Sequence, residues 1–334
     1  MKIYVHIGAG KCGSSSIQNF FSYNNQFSTK KAYCAIGTSG EVFTGENISN
    51  LAKSNVYDYL SSANLSLFKD DSDAKDKLKS SLQSLSLKYD AILLSNEGWL
   101  EQSNLFEDLD DVFSNYEVQV LLVVRPPVEW LNSGWWQWGQ WSGVELEQWL
   151  FASLSKTRWF DYYTKWDSLN SVKKVTTIAL NGDVLTEFAD IIGFNYSAPK
   201  GKTNISSDSK LLRLFKERRS LRPSPHEPQV EFSLNRHITS KGKPDWVISR
   251  SNIAKILRET EESNLNLLST LHDRSVVEND SRWWGRGYYK NIDESIMIDK
   301  PLNKDELYDM LESAYHAIHK LDMELRKFSN NTYK

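Results

Sequence analysis

Near the amino terminus the run Gly8-Ala9-Gly10-Lys11-Cys12-Gly13-Ser14-Ser15-Ser16 gathers the groups that hold a phosphate. Glycines let backbone N–H groups turn toward an anion, and consecutive serines add hydroxyl donors. Lys11 brings a full positive charge, and a helix beginning at Ser14 aims the positive end of its dipole at the same point. The alternative is a glycine-rich turn that binds nothing, with Ser14 as a helix cap. A Walker A loop needs Gly, four residues, then Gly-Lys and a hydroxyl residue. Here Val5 stands where the first glycine belongs and Cys12 follows the lysine, which weakens the reading as an ATP-dependent kinase.

Other residues can act beside that loop. Arg125 closes the apolar run 118–124, and Ser133 follows eight residues later. A guanidinium gives phosphate two parallel hydrogen bonds; the alternative is an ion pair at a sheet edge and a serine facing water. Glu97 follows the apolar run 91–94, and the carboxyl end of a parallel strand is where ligands of open α/β sheets sit. It is the candidate general base, unless it only charges the first turn of the next helix. His6 is a rival base, but its apolar neighbours favour a core residue or loop brace. Lys200-Gly201-Lys202 forms a basic loop, with a competing copy at Lys241-Gly242-Lys243; either can be a solvated surface loop. Of twelve tryptophans, eight fall between Trp130 and Trp166, and such crowding needs a cause. Continued helix places Trp130, Ser133, Gln137 and Trp141 on one face, where flat rings suit a sugar. Core packing with a homodimer surface is the competing explanation. Arg282 and Trp283 repeat the basic-aromatic mixture and suit an acidic glycan, or else belong to a packed loop.

Buried parallel strands are predicted at 3–7, 91–95, 118–124 and 175–179, with helices at 14–23, 74–87, 127–141 and 183–192, the last stopped by Gly193. Strand-helix alternation makes this an α/β chain: a doubly wound parallel sheet flanked by helices, with a P-loop-like strand-loop-helix at its start. Residues 199–334 read as a helical carboxy-terminal elaboration, clearest at 246–271 and 305–328. No Ser/Gly linker intervenes, so 1–334 is expected to be one domain with 1–198 as its nucleotide-binding core. There is no internal repeat and no heptad array. A net charge of −3 gives no general reason to expect nucleic acid or an anionic membrane as partner. No apolar run approaches the roughly 20 residues of a membrane span, and residues 1–5 read as a strand rather than a signal peptide. Cys12 and Cys34 form neither a disulfide framework nor a metal-ligand spacing, which suits the cytoplasm. A thiol beside Lys11 is open to oxidation. No acidic cluster suggests a metal.

The run Val5-His6-Ile7-Gly8-Ala9-Gly10-Lys11-Cys12-Gly13-Ser14-Ser15-Ser16-Ile17-Gln18 resembles the His-Ile-Gly-x-x-Lys-Thr-Gly-Thr-Thr-Ser-Ile-Gln opening of bacterial members of the sulfotransferase superfamily. Cys12 replaces a threonine, and serines at 14 and 15 replace threonines while keeping the hydroxyl. Arg125-Pro126, Ser133 and Gln137 resemble the second signature, Arg-Pro-x-x-x-x-x-x-Ser-x-x-x-Gln. Ser95-Asn96-Glu97 resembles a Ser-Ser-Glu motif, and 200–202 followed by Asn204-Ile205-Ser206 resembles the Lys-Gly loop and the helix start after it. The resemblance implies 3′-phosphoadenosine 5′-phosphosulfate as sulfuryl donor and adenosine 3′,5′-bisphosphate as product, without a metal. It implies that Gly10 to Ser16 grip the 5′-phosphosulfate, and that Arg125, Ser133, Lys200, Gly201 and Lys202 hold the 3′-phosphate. Lys11 and Glu97 would be catalytic, and the acceptor would be a carbohydrate hydroxyl of a surface polysaccharide or glycolipid precursor. An ATP-dependent small-molecule kinase and a catalytically silent glycan or nucleotide module stay open beside it.

Overall fold

The computed structural model describes residues 1–197, 207–237, 246–290, 292 and 301–332. The predicted basic loop at 200–202, residues 204–206 and the rival loop at 241–243 lie outside the described residues.

Strands β1 (Lys2–His6), β2 (Gln26–Ser28), β3 (Lys31–Ile36), β4 (Val42–Thr44), β5 (Ala91–Ser95), β6 (Glu117–Val124) and β7 (Val172–Ala179) form, among the described residues, a seven-stranded sheet. Its order is β2-β3-β5-β1-β6-β7, with β4 on β3. The five strands from β3 to β7 along that order pair in parallel, while β2 and β4 run antiparallel to β3. Burial on both faces explains why β5 and β6 read as unbroken apolar runs: only Glu117 among their residues is exposed. Helices Ser14–Tyr23, Pro127–Gln137 and Val184–Ile192 follow β1, β6 and β7. Asp183 caps the last of these by accepting from the Leu185 N–H at 3.0 Å, and Gly193 ends it at φ 74°. The parallel sheet flanked by helices, with more helices toward the carboxyl terminus, agrees with the sequence reading.

From β1 the chain runs toward β3, and from β6 it runs toward β7, on opposite sides of the sheet. The neighbouring strands β1 and β6 therefore form a topological switch point, where diverging connections leave a crevice at the carboxyl ends. Register sets the depth: His6 lies opposite Leu121, so β6 continues to Val124 beyond the end of β1.

Three features depart from expectation. Strands β2, β3 and β4 have no counterpart in the sequence reading; two have only three residues and the third contains Lys, Tyr and Cys among its alanines. Strand β7 begins at Val172 rather than 175. The helix predicted over 127–141 stops at Gln137, and a separate turn, Gly139–Trp141, follows. A Cβ on Gly139 would stand 2.3 Å from the Trp135 ring, so the backbone passes against the indole where only glycine fits.

The chain groups into two compact units. The first comprises Met1–Leu131, Leu150–Thr203 and Arg250–Asn291, and contains the whole sheet. Helices Trp159–Asp167 and Arg250–Leu267 pack together within it. The second comprises Asn132–Trp149, Asn204–Ser249 and Ile292–Lys334. Inside it, Arg213 pairs with Glu306 at 2.6 Å and Lys210 with Asp309 at 2.8 Å, which joins helix Ser209–Glu217 to helix Lys304–Thr332. Fully buried Arg222 forms an ion pair with Glu231. No described helix is long and apolar enough to cross a membrane.

Candidate functional site

The loop after β1 is shaped by its own backbone. The Cys12 N–H bonds to the Ala9 carbonyl at 3.0 Å, Lys11 takes φ 67° and Gly13 takes φ 90°. Left-handed backbone costs glycine little but a lysine something, so Lys11 is held there by its surroundings. A Cβ on Gly8 would lie 2.7 Å from His6 Nε2, so that position too requires glycine. Helix Ser14–Tyr23 starts immediately afterwards with no side chain capping its N-terminus, which leaves that end for an anion. Ser14 is buried and turns its hydroxyl to the Ala9 carbonyl at 3.5 Å, whereas Ser15 and Ser16 are half-buried.

Neighbouring segments brace the loop. Trp130 donates its indole N–H to the Gly10 carbonyl at 2.8 Å, and Arg125 donates to the Lys11 carbonyl at 3.2 Å. The Arg125 carbonyl in turn accepts from the Trp159 indole at 2.8 Å. Two successive loop carbonyls are thus occupied by donors of the protein itself. Trp130, read from sequence as an acceptor contact, is 5% exposed and acts as this clamp. Much of the tryptophan crowding in this unit has the same cause, since Trp166 likewise donates to the Leu100 carbonyl and Trp99 to that of Ala63. Cys12 is fully buried and its thiol pKa is pushed up to about 12 by that burial, so the sequence expectation of an oxidisable thiol is replaced by an inert one.

Glu97 opens the turn Glu97–Glu101 directly after β5. Asn96 fixes that turn: its side chain accepts from the Gly98 N–H at 2.6 Å, and its own N–H bonds to the His6 carbonyl at 3.2 Å. Burial raises the Glu97 pKa above the usual carboxylate range, and the charge of Lys11 partly opposes the rise. Tyr59, pushed up to about 12 by burial and then by the charge of Glu97, belongs to the same cluster. No motif in the sequence marks it. His6 bonds through Nδ1 to Ser95 Oγ at 2.8 Å, which also accepts from Gln18 at 3.1 Å. The imidazole is fully buried, its pKa lowered to about 3 by desolvation, and it meets Phe188 edge-on. It is a neutral brace between β1, β5 and the first helix, without access to an acceptor.

On the other wall, the Glu129 carboxylate is shared. One oxygen stands 3.5 Å from Arg125 Nε and 3.5 Å from Arg282 Nη1, and Arg282 is anchored to Asp280 at 2.6 Å. Sequence reasoning missed Glu129, although its place four residues after Arg125 on a helix is the spacing at which such pairs meet. Arg282 therefore lies on the Arg125 side of the crevice. Trp283, read as a glycan contact, is 1% exposed and is a core residue. Ser133 and Gln137 lie on helix Pro127–Gln137, both half-buried. In the second unit Trp141 gives its N–H to the Arg222 carbonyl at 3.0 Å, and its ring lies 4.2 Å from the Arg222 guanidinium and 4.9 Å from that of Arg219. Trp141 is half-buried. Among the described residues no group of three or more His, Cys, Asp or Glu could hold a metal ion.

In the first unit, then, an uncapped helix N-terminus, Lys11 and Arg125 can receive an anion, with a carboxylate of raised pKa near the lysine. No family model matches the chain, and no curated protein sequence matches it. Among solved structures, a sulfotransferase from Alicyclobacillus acidocaldarius aligns with 82% of this chain and 98% of its own, at 11% identity and a TM-score of 0.41.

Proposed function

We propose that this chain is a sulfotransferase that moves a sulfuryl group from 3′-phosphoadenosine 5′-phosphosulfate to an acceptor hydroxyl, that of a carbohydrate. The observation that carries the proposal is the switch-point loop, whose Gly10 and Lys11 carbonyls are taken up by Trp130 and Arg125 while the helix after it has no side-chain cap. Such a cradle suits a phosphate-bearing nucleotide. The motif resemblance supplies the choice of donor.

The residues present fit that donor. Gly10, Cys12, Gly13, Ser14, Ser15 and Ser16 would line its 5′-phosphosulfate, with Ser14 shaping the loop from beneath. Arg125 and Ser133 would hold its 3′-phosphate, joined by Lys200, Gly201 and Lys202 of the basic loop. When bound, the donor supplies an activated sulfur whose bond to the 5′-phosphate oxygen breaks as the acceptor oxygen bonds to sulfur. Glu97 takes the acceptor's proton, and a positioned base of this kind contributes about 10²- to 10⁴-fold. Lys11 holds positive charge where negative charge grows on the departing phosphate. Gln137 and Arg282 remain candidates for the acceptor side. The unpaired, buried Cys12 and Cys34 suit a reducing cytoplasm.

Isothermal titration with adenosine 3′,5′-bisphosphate tests the donor assignment: the wild type binds, and Arg125→Ala binds at least about tenfold more weakly, the loss of one charge-assisted contact. Equal affinity in the variant removes Arg125 from the site. Thermal stabilisation by MgATP in place of the bisphosphate would favour the kinase reading, and stabilisation by sugars alone a non-catalytic module.

A further inference from the structure

Helix Lys304–Thr332 of the second unit displays an unusual surface. Leu307, Leu311, Tyr315, Ile318 and Leu325 are each more than two-fifths exposed along it, as are Tyr308 and Met323. Elsewhere among the described residues large apolar side chains are exposed singly, as at Leu51, Leu87 and Leu265, whereas here they gather on one element. An apolar surface gathered in this way marks an interaction site. The residues at 307, 311, 314, 318, 321 and 325 are all Leu, Ile or Ala and follow alternating steps of four and three, the seam of a helix pair. Read backwards the steps are the same, so the seam is palindromic.

Charge selects the occupant. With Glu306 and Asp309 neutralised by Arg213 and Lys210, residues 304–318 carry Lys304 against Asp305 and Glu312, whereas 319–332 carry Lys320, Arg326 and Lys327 against Asp322 and Glu324. The helix then carries no surplus of positive charge, and without a basic face it gives an anionic lipid surface nothing to attract. Its acidic first half complements the basic second half of an identical helix running the other way. We propose that this face pairs with the same face of a second copy of the chain, antiparallel about a two-fold axis, with Leu307 meeting Leu325 and Leu311 meeting Leu321 of the other copy. A self-complementary patch of this kind is what two-fold symmetry requires.

Sedimentation velocity and light scattering of the full chain across a concentration series read the outcome. The wild type runs at twice the chain mass, and Ile318→Glu runs at the chain mass with its affinity for adenosine 3′,5′-bisphosphate unchanged. A wild type that stays monomeric, or that floats with anionic vesicles as a monomer, overturns the proposal, as does a dimer that survives Ile318→Glu. Orientation is read by oxidation, since the native thiols of Cys12 and Cys34 are buried. Leu311→Cys mixed with Leu321→Cys gives a disulfide-linked pair. Absence of that mixed pair, or cross-linking of Leu311→Cys with itself alone, overturns the antiparallel arrangement.

Discussion

At Lys11 the backbone adopts a conformation that lysine disfavours, and its carbonyl is held by Arg125. The strain is offset by where it puts the ammonium, close enough for its charge to act on Glu97. That pairing gives a pH signature. Burial raises the Glu97 pKa, so the carboxylate form that the proposed base role requires appears only above the usual carboxylate value of 4.5. The acid limb of kcat/KM should lie above that value, and Glu97→Gln should abolish the limb and lower kcat about 10²- to 10⁴-fold. A variant that transfers sulfate at the wild-type rate removes Glu97 from the mechanism. Trp130→Phe keeps most of the ring but takes the indole donor from the Gly10 carbonyl, a loss of about 1–3 kcal/mol. Weaker binding of adenosine 3′,5′-bisphosphate with an unchanged overall melt would locate that loss in the loop. The places of Lys11, Arg125 and Glu97 just beyond strand ends were legible because apolar runs mark those strands. Glu129 and Tyr59 were not, because their roles depend on neighbours distant in sequence or on a partner shared with another segment.

At the scale of elements, β1, β5 and the first helix are joined through His6, Ser95 and Gln18. This join is sensitive to acid. The His6 pKa falls from 6.5 to about 3 on folding, so between those values the unfolded chain binds a proton that the native one refuses. Its stabilising contribution is full above pH 6.5 and is lost as pH falls toward 3, by about 1.4 kcal/mol per pH unit at most. Glu97, with a raised pKa, works in the opposite sense: its contribution is full below 4.5 and is lost as pH rises through its folded value. The two are separated by substitution. As pH falls from about 7 to 4, the range His6 spans, the denaturation midpoint of His6→Asn should gain on that of the wild type. A constant difference between the two proteins would show that His6 titrates alike in the folded and unfolded chains. The long apolar strands and the helix capped by Asp183 and stopped by Gly193 were readable from periodicity. Strands β2 to β4 were not, since three residues carry too little pattern, nor was the break after Gln137, which arises from the packing of Trp135 on Gly139.

As a whole, the molecule consists of two compact units with different interiors. The first is built on the apolar sheet, while the second buries the Arg222–Glu231 pair. Removing one partner of such a pair strands a charge and costs about 3–5 kcal/mol. Glu231→Gln should accelerate hydrogen exchange in 207–237 and leave β1, β5 and β6 protected; uniform acceleration would mean that the two units unfold together. Segments 132–149 and 250–291 belong to different units from their sequence neighbours, a grouping that no linker or shift of composition in the sequence marks. The indole clamps on Gly10 and Arg125 carry a practical consequence for the intact protein. Indole emission depends on nearby charge and hydrogen bonding, so Trp130 and Trp159 make the protein its own optical reporter, in which arrival of the proposed nucleotide should read as a change in intrinsic fluorescence without any label.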